Sequence, residues 1–292
     1  MQKTHNTKAG KVFDVFNIIF LATLACLMLL PFVYVLAASF ATEAEIATRP
    51  FFLFPETVTL EAYRYIFTTP AFMRSLGVTI GVTIGGTIIQ LLFTFSFAYP
   101  LSRKKLKGRN FLLNMVIFAM LFSGGMIPTF LVVKNLGLLD TYWALMLPGA
   151  INPFNLMIIK NFFQEMPLEL EESALMDGAT ELTILTKIFL PLSKPIIATF
   201  TLFYAVGIWN DFMSGLLYLN DSSKWPIQLL LRQITMSSSA MNVSALMDPN
   251  YVPPEQGMKF AVIIVATLPI LIVYPFLQKH FAKGMMVGAV KG

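Results

Sequence analysis

Residues 165–195 read EMPLELEESALMDGATELTILTKIFLPLSKP and lie between two strongly apolar parts of the chain. The segment is patterned like helix, yet it is far more polar than its surroundings. Six of the sixteen acidic residues of the chain lie in it: Glu165, Glu169, Glu171, Glu172, Asp177 and Glu181. A polar helical connection between apolar runs predicts a segment that stands outside a membrane while its neighbours cross it.

The composition agrees with a membrane protein. Charged residues make up 13% of the chain and apolar residues 56%, whereas soluble domains carry about 25% charged residues. We therefore predict an all-α polytopic membrane protein whose helices contact membrane lipid. The basic residues lie in short tracts beside apolar runs, so nucleic acid is not an expected partner. One cysteine, Cys26, and two distant histidines, His5 and His280, exclude a disulfide framework and a Cys/His metal site.

Uncharged runs long enough to cross a bilayer predict the domain organisation. We expect a cytoplasmic amino terminus at 1–14, a six-helix membrane domain at 15–282 and a cytoplasmic tail at 283–292. The first run is too long for a typical signal peptide, so a retained helix is preferred. The third run contains Ser123-Gly124-Gly125 and Pro128, which predict a kinked or broken helix. The six expected spans are approximately 15–42, 75–102, 110–133, 141–162, 195–219 and 260–279, with a polar loop at 163–194.

The distribution of Lys and Arg predicts the orientation, because cytoplasmic segments carry an excess of these residues. With the amino terminus inside, the inside segments hold fourteen Lys and Arg residues and the outside segments hold seven. We therefore expect a multi-pass protein with both termini and residues 160–194 in the cytoplasm. Five of the fourteen inside cations lie in one hairpin: Arg103, Lys104, Lys105, Lys107 and Arg109.

Local signals predict two short helices within the polar loop. Pro167 suits the first turn of a helix, and Gly178 suits the left-handed position that closes it. Thr180 is a good cap for a second helix, which we expect to end before Pro191. The small residues around Gly178 predict a low surface that a partner protein approaches closely. An amphipathic connector lying on the membrane is the alternative that the residues alone leave open.

Polar residues inside the apolar runs are candidates for a substrate path. The fourth run carries Asn152 and Asn155 at mid-depth, which indicate a face turned to neighbouring helices or to a water-filled path. The fifth run carries Asp211, which either serves function or only caps a helix end at the water boundary. Planar amides and aromatic faces suit sugars, so the candidate path residues are Asn155, Trp209, Asn210 and Asp211. Helix packing is the alternative for all of them, and it is favoured for Trp209.

A motif in the polar loop resembles the signature of ATP-binding-cassette importer permeases. The family pattern is E-A-A-x3-G-x9-I-x-L-P, and here Glu172-Ser173-Ala174 is followed by Gly178 and by Ile188-Phe189-Leu190-Pro191. Only Ser173 departs from it, a small residue in place of another. Other segments resemble the smaller six-span permease of the maltose-type branch, within it the subgroup for complex or modified oligosaccharides: Asp177-Gly178-Ala179, residues 191–195, Trp209-Asn210-Asp211-Phe212, residues 227–232 and the ending at 278–292.

The resemblance implies a type I importer permease fold in the bacterial cytoplasmic membrane. It implies a second, related permease as heterodimer partner, two ABC ATPases and an extracytoplasmic solute-binding protein that delivers an oligosaccharide. ATP and Mg²⁺ would be used by the ATPases, with no cofactor bound by this chain, which also lacks a phosphate-binding loop motif. An acidic oligosaccharide such as an alginate or pectin fragment is an expected substrate.

The resemblance also assigns roles to individual residues. Glu172 would meet a basic group of the ATPase, and the tail would reach between the two ATPases. The implied ATPase-coupling residues are Glu172, Ser173, Ala174, Asp177, Gly178 and Ala179, and the implied tail contacts are Gly288, Lys291 and Gly292.

Two other classes of protein remain as alternatives. A secondary transporter driven by an ion gradient would predict inverted repeats and more acids within the spans than Asp211. A membrane enzyme would require a cluster of His, Cys or paired carboxylates near the membrane, which the sequence lacks. We therefore expect a non-enzymatic subunit of an ATP-driven transporter.

Overall fold

The computed structural model describes residues 8–236 and 255–288. Regular structure in these ranges is helical throughout, because helices satisfy every backbone polar group in lipid without a neighbour. The expected all-α class is confirmed. The helices are α1 (Lys8–Ser39), α2 (Glu43–Thr48), α3 (Glu61–Thr68), α4 (Pro70–Ser102), α5 (Arg109–Leu121), α6 (Met126–Asn135), α7 (Trp143–Met146), α8 (Pro153–Gln164), α9 (Leu168–Met176), α10 (Glu181–Ile184), α11 (Leu190–Leu192), α12 (Lys194–Trp209), α13 (Met213–Tyr218), α14 (Ile227–Met236) and α15 (Glu255–Gly288).

Three helices in the described residues are long and apolar enough to cross a membrane unbroken. They cover Gly10–Ser39, Pro70–Ser102 and Gln256–Val273. Two bent pairs bring the number to five when each pair is taken as one span. The first, α5 with α6, bends by 118°, and the second, residues 181–192 with α12, bends by 81°.

The third, fourth and fifth predicted spans are interrupted, the first two of them at glycine or proline residues. The expected break in the third span is confirmed between Leu121 and Met126, where Gly125 takes a φ of +86°. The fourth predicted span, 141–162, is divided into α7 and α8. Pro148 and Pro153 lie at the division. Proline has no backbone N–H to donate and disfavours helical geometry for the residue before it, so both residues favour a break in the helix. The fifth predicted span, 195–219, is divided into α12 and α13.

The described residues form two compact units, 8–69 with 234–236 and 255–267, and 70–233 with 268–288. In the first unit, buried Glu45 holds a connecting segment by accepting the backbone N–H of Glu56 with both carboxylate oxygens, at 2.9 and 3.1 Å. The ring of Tyr34 packs against those of Phe52 and Phe260, with centroids 5.7 and 5.8 Å apart. These contacts give this unit a small core of its own.

In the second unit, α4 is the central helix and packs most extensively against α8 and α12. Its core continues from the helices into the polar loop. The rings of Tyr99, Phe163 and Phe189 meet edge to face, with centroid distances of 5.4 to 6.2 Å. We call these three residues the ring cluster. Edge-to-face packing is a favoured aromatic geometry, so the cluster ties α4, α8 and the loop together.

The second helix of the loop does not end before Pro191, contrary to the prediction. A π-helical turn at Leu185–Phe189 joins α10 to α11, and Pro191 lies within α11. The Leu190 N–H bonds to the Leu185 carbonyl, five residues back, so the bonding register widens just before the proline. The proline, which has no N–H to donate, lies just after this change in hydrogen-bonding pattern. The helix therefore continues through Pro191 to Leu192.

Asp140 joins two connections of the second unit, the one after α6 and the one after α13. Its Oδ1 accepts the backbone N–H groups of Asn220 and Asp221 at 3.2 and 3.1 Å. Lys224 Nζ donates to its carbonyl oxygen at 2.8 Å and lies 3.3 Å from Oδ2. The hydrogen bond from Asp221, followed by the neighbouring Lys224, lowers the pKa of Asp140. Its φ of 59° is left-handed, a conformation that Asp and Asn tolerate.

We predict that acid loosens the connection at 219–225. A lowered pKa means that the folded state favours the carboxylate, so the stabilisation is present above about pH 4 and is lost as the pH falls through the lowered value. Asp140→Asn keeps the left-handed turn but removes the charge. Amide hydrogen exchange at 219–225 should be faster in this variant than in the parent at about pH 6.5, with little difference at about pH 3. Equal exchange at the higher pH would refute the role, and Glu165→Gln is the control.

Candidate functional site

The polar loop turns sharply after α9 through a complete Schellman motif. Gly178 takes a φ of +79°, the Ala179 N–H donates to the Ala174 carbonyl at 2.9 Å, and the Gly178 N–H donates to the Leu175 carbonyl at 3.0 Å. Thr180 then caps α10 by accepting the Thr183 N–H at 3.3 Å. These bonds pair backbone groups that are otherwise free at the end of α9 and at the start of α10. The predicted hinge at Gly178 and cap at Thr180 are confirmed.

Helix α9 has an inward and an outward face, and adjacent acids lie on opposite ones. Glu171 is partly buried and forms an ion pair with Arg103 at the end of α4. Glu172 is exposed. Ser173 and Asp177 are exposed as well. The structure therefore leaves Glu172, Ser173 and Asp177 available to another protein, whereas Glu171 is engaged within the chain.

The small residues of the motif do not all belong to that exposed surface. Ala174 is 8% exposed and packs into the main core of the second unit, with Ala179 partly buried against the same core. A larger side chain at Ala174 would push α9 away from the bundle, which explains the need for a small residue there. The expectation that Ala174 and Ala179 form a low docking surface is corrected, since their methyl groups face inward.

The outward face also carries apolar side chains that sequence reasoning missed. Met176 is 89% exposed at the end of α9, and Leu182 is 69% exposed across the turn. Leu168 and Leu175 add to this apolar surface, at 66% and 46%. Apolar residues on an otherwise acidic connection were the available signal. Acidic side chains around an exposed methionine suit a protein partner with a basic rim and an apolar pocket.

A second candidate site is a polar cavity of about 330 Å³ in the second unit. Asn155 and Asp211 both line it, so the structure brings together two of the four predicted path residues. Asp211 also accepts the Ser214 N–H at 3.1 Å and so caps α13. Asp211 therefore lines the cavity and also caps a helix end, and its functional role stays a prediction.

The other two predicted path residues lie elsewhere. Trp209 is buried, at 6% exposure, and does not line the cavity. Asn210 is exposed and its Nδ2 donates to the Val206 carbonyl at 2.9 Å, at the end of its own helix.

Asn152, the other asparagine noted in the fourth run, also lines the cavity. Three further polar lining residues were not foreseen: Gln90, Tyr204 and Ser214. Gln90 continues a row of buried Thr79, Thr83 and Thr87 at helical spacing, which was the available signal for it, whereas no such row precedes Tyr204 in α12.

The cavity wall combines amides, a phenol and aromatic rings. Phe203 is 53% exposed, and the side chain of Asn152 accepts the Asn155 N–H at 3.1 Å, which starts α8 at the cavity. Among the lining residues, Asp211 is the one ionisable acid, and none is Lys or Arg. Such a wall offers hydrogen bonds and a ring face to sugar hydroxyls, with one negative charge.

Two of the three implied tail contacts lie outside the described residues. Gly288 is the last residue of α15, and Lys291 and Gly292 lie outside the described residues. Within the ranges that are described, no three His, Cys, Asp or Glu residues converge as a metal site would require.

Comparison with known proteins decides the family. The family of binding-protein-dependent transport system inner membrane components matches residues 3–287. The chain belongs to this family. It is therefore a membrane permease subunit of a transporter that depends on a binding protein, and the resemblance to sugar-importer permeases is confirmed. No match supports the alternative of a transporter driven by an ion gradient.

Individual relatives cover nearly the whole chain. Protein LplC of Bacillus subtilis is 66% identical, with 99% of this chain and 98% of that protein covered. The polygalacturonan/rhamnogalacturonan transport system permease protein YtcP of the same organism is 56% identical, with coverage of 97% and 99%. A bacterial ABC transporter involved in the import of the acidic polysaccharide alginate has a chain with a TM-score of 0.88 and 31% identity, covering 96% of this chain and 100% of that one.

We predict that the turn at Gly178 tolerates asparagine but not valine. A Cβ at this position meets no atom within 4 Å, so backbone strain rather than a clash decides the outcome. Left-handed backbone costs a non-glycine residue ~1–2 kcal/mol, and asparagine tolerates it best. Gly178→Val should therefore lower the melting temperature in detergent by about 2–4 °C per kcal/mol lost. Gly178→Asn should melt close to the parent, and equal melting of both variants would contradict the strain.

Proposed function

We propose that this chain is the smaller permease of an ABC importer for acidic oligosaccharides, with pectin-type galacturonides as the preferred class. It forms a heterodimer with a second permease in the bacterial cytoplasmic membrane. An extracytoplasmic binding protein delivers the sugar. Two cytosolic ATPases bind and hydrolyse ATP with Mg²⁺, and this chain takes no catalytic part.

The observation that carries the substrate class is similarity along the whole chain. The 56% identity to the polygalacturonan/rhamnogalacturonan permease spans 97% of this chain. The similar chain from the alginate importer belongs to a second system for an acidic polysaccharide. The neutral amides of the cavity suit sugar hydroxyls, whereas its lining residues offer no cation for the uronate carboxylates. We therefore assign carboxylate selection to the binding protein and the second permease.

The proposed docking surface for one ATPase is the outward face of α9 with the Gly178 turn. Glu172 provides charge and Met176 an apolar contact, both exposed. Buried apolar anchors ringed by polar groups are the usual centres of protein interfaces. The excess of Lys and Arg on the same side, fourteen against seven, supports a cytoplasmic location for this surface and for both termini.

We predict that Glu172→Lys releases the ATPase. The substitution places a positive charge opposite the basic group of the ATPase. This repulsion weakens binding of the ATPase, whereas folding of this chain is unaffected. Pulling on a tag at this chain should recover about half as much ATPase from the variant, since the ATPase that docks on the second permease is still retained. Recovery of the second permease should be unchanged.

The matched control is Glu165→Lys, the same charge reversal at an exposed acid of the same loop. It follows the last residue of α8, where a positive charge is favourable, so it should fold and keep the ATPase. ATPase recovery at parental level with Glu172→Lys would overturn the proposed surface.

We predict that the polar cavity contributes to the transport path. Asn155→Ala removes one amide from the wall and should raise the KM for uptake of trigalacturonate into proteoliposomes about three- to tenfold, the value of roughly one net hydrogen bond. Asn210→Ala is the control, because Asn210 bonds within its own helix and does not line the cavity. An unchanged KM with Asn155→Ala, or the same rise with Asn210→Ala, would refute the assignment.

A further inference from the structure

Arg103 lies at the end of α4 with its guanidinium between two aromatic rings. Its central carbon is 4.4 Å from the ring centroid of Tyr99 and 4.4 Å from that of Phe189. Tyr99 belongs to α4, whereas Phe189 belongs to the π-helical turn of the polar loop. A cation between two ring faces is attracted to both, so Arg103 joins the membrane helix to the loop.

Two polar contacts complete the connection. Arg103 Nη1 pairs with Glu171 Oε2 of α9, and the two side chains are only 17% and 16% exposed. The Tyr99 hydroxyl donates to Glu181 Oε2 at 2.6 Å. The end of α4 thus holds α9, α10 and the π-helical turn through three different contacts. We call Tyr99, Arg103, Glu171, Glu181 and Phe189 the α4–loop clamp.

Partial burial makes the ion pair costly to break. Exposed pairs contribute little, whereas removing one partner of a buried pair leaves a charge that is neither solvated nor paired. Nε and Nη2 of Arg103 are also buried and have no hydrogen-bond partner among the described residues. Glu171 is therefore the main compensation for the charge of Arg103, and α9 and the end of α4 are held together.

The clamp lies between the proposed docking surface and the polar cavity. On α9, Glu171 faces the clamp while the adjacent Glu172 faces outward. Arg103 directly follows the last residue of α4 and lies thirteen residues after Gln90 of the cavity wall, about 20 Å along a helix. A displacement of α9 by a protein on its outward face would therefore reach the cavity through one continuous helix.

Among the five cations of the hairpin, Arg103 has a distinct environment. Lys104, Lys105 and Lys107 are exposed, and Arg109 Nε donates to the Leu101 carbonyl at 2.8 Å. Arginine also suits the position chemically, because its planar guanidinium stacks on rings and pairs with a carboxylate at once. Lysine would keep the charge and lose the stacking geometry.

We propose that Arg103 is a positioning residue for transport, which transmits the movement of α9 to α4 through its pair with Glu171. The proposal rests on the function proposed above and adds the route by which ATPase movement reaches the path. If this is correct, loss of the α4–loop clamp uncouples ATP hydrolysis from uptake while the ATPase stays bound.

The test uses the transporter purified by a tag on this chain and reconstituted with its binding protein and labelled trigalacturonate. Arg103→Gln and Glu171→Gln should each retain the ATPase and ATP hydrolysis within about twofold, while uptake per ATP hydrolysed falls about tenfold, within the ~5–150-fold range of coupling between sites. The double variant should fall no further than Arg103→Gln alone, because that substitution already removes the pair with Glu171. Arg103→Lys should show a smaller loss.

Lys104→Gln is the matched control, the same loss of charge at an exposed neighbour, and should keep the parental ratio of uptake to hydrolysis. A parental ratio in Arg103→Gln or in Glu171→Gln overturns the proposal. Loss of the ATPase from Arg103→Lys also overturns it, since Arg103 would then only brace the docking surface. ATPase recovery at parental level in Glu172→Lys would instead refute the proposed docking surface, so the two failures are distinguishable.

Discussion

The ring cluster of Tyr99, Phe163 and Phe189 is the contact on which the functional arrangement depends. It joins a membrane helix, the helix before the polar loop and the loop itself at one point. A short polar loop lacks enough apolar surface to hold a fixed shape alone. Because its Phe189, Ala174 and Ile184 are buried in the bundle core, the loop presents one defined face outward.

The same anchoring explains why adjacent residues of α9 differ so much in role. A helix places neighbouring side chains about 100° apart, so fixing Glu171 against Arg103 turns Glu172 away from the bundle. The Schellman turn at Gly178 then directs the chain back into the core through Ala179. An acidic, apolar-tipped surface and a buried ion pair thus arise from one short helix.

The interruptions of the membrane helices have a corresponding physical logic. Broken backbone is tolerated in a membrane only where protein or a water-filled cavity covers it. Here the ends of α8, α12 and α13 converge on the polar cavity, where the side chains of Asn152 and Asp211 cap the helices that begin there. The residues that cap these helix starts therefore also supply part of the polar wall of the cavity.

Much of this protein follows from its sequence by itself, because the signals are local. Long uncharged runs determine helices in lipid, Gly178 determines a left-handed turn, and Thr180 determines a cap. The motif from Glu172 to Pro191 identifies the loop by residue types at fixed spacing. These features depend on the solvent or on a few neighbouring residues, so no knowledge of distant contacts is needed.

Only the tertiary structure decided which side of each helix faces what. In α4 a row of Thr residues at helical spacing marks the buried side, but the sequence does not show which neighbour that side meets, and only the structure places Gln90 at the cavity. Ala174 and Met176 are both apolar and two residues apart, yet one is buried and the other exposed. In the sequence, nothing distinguishes Arg103 from the four other cations of its hairpin. Its environment is set by Phe189, which is distant in sequence and packs on its guanidinium. Contacts between distant residues determine these roles, and periodicity along one helix does not contain them.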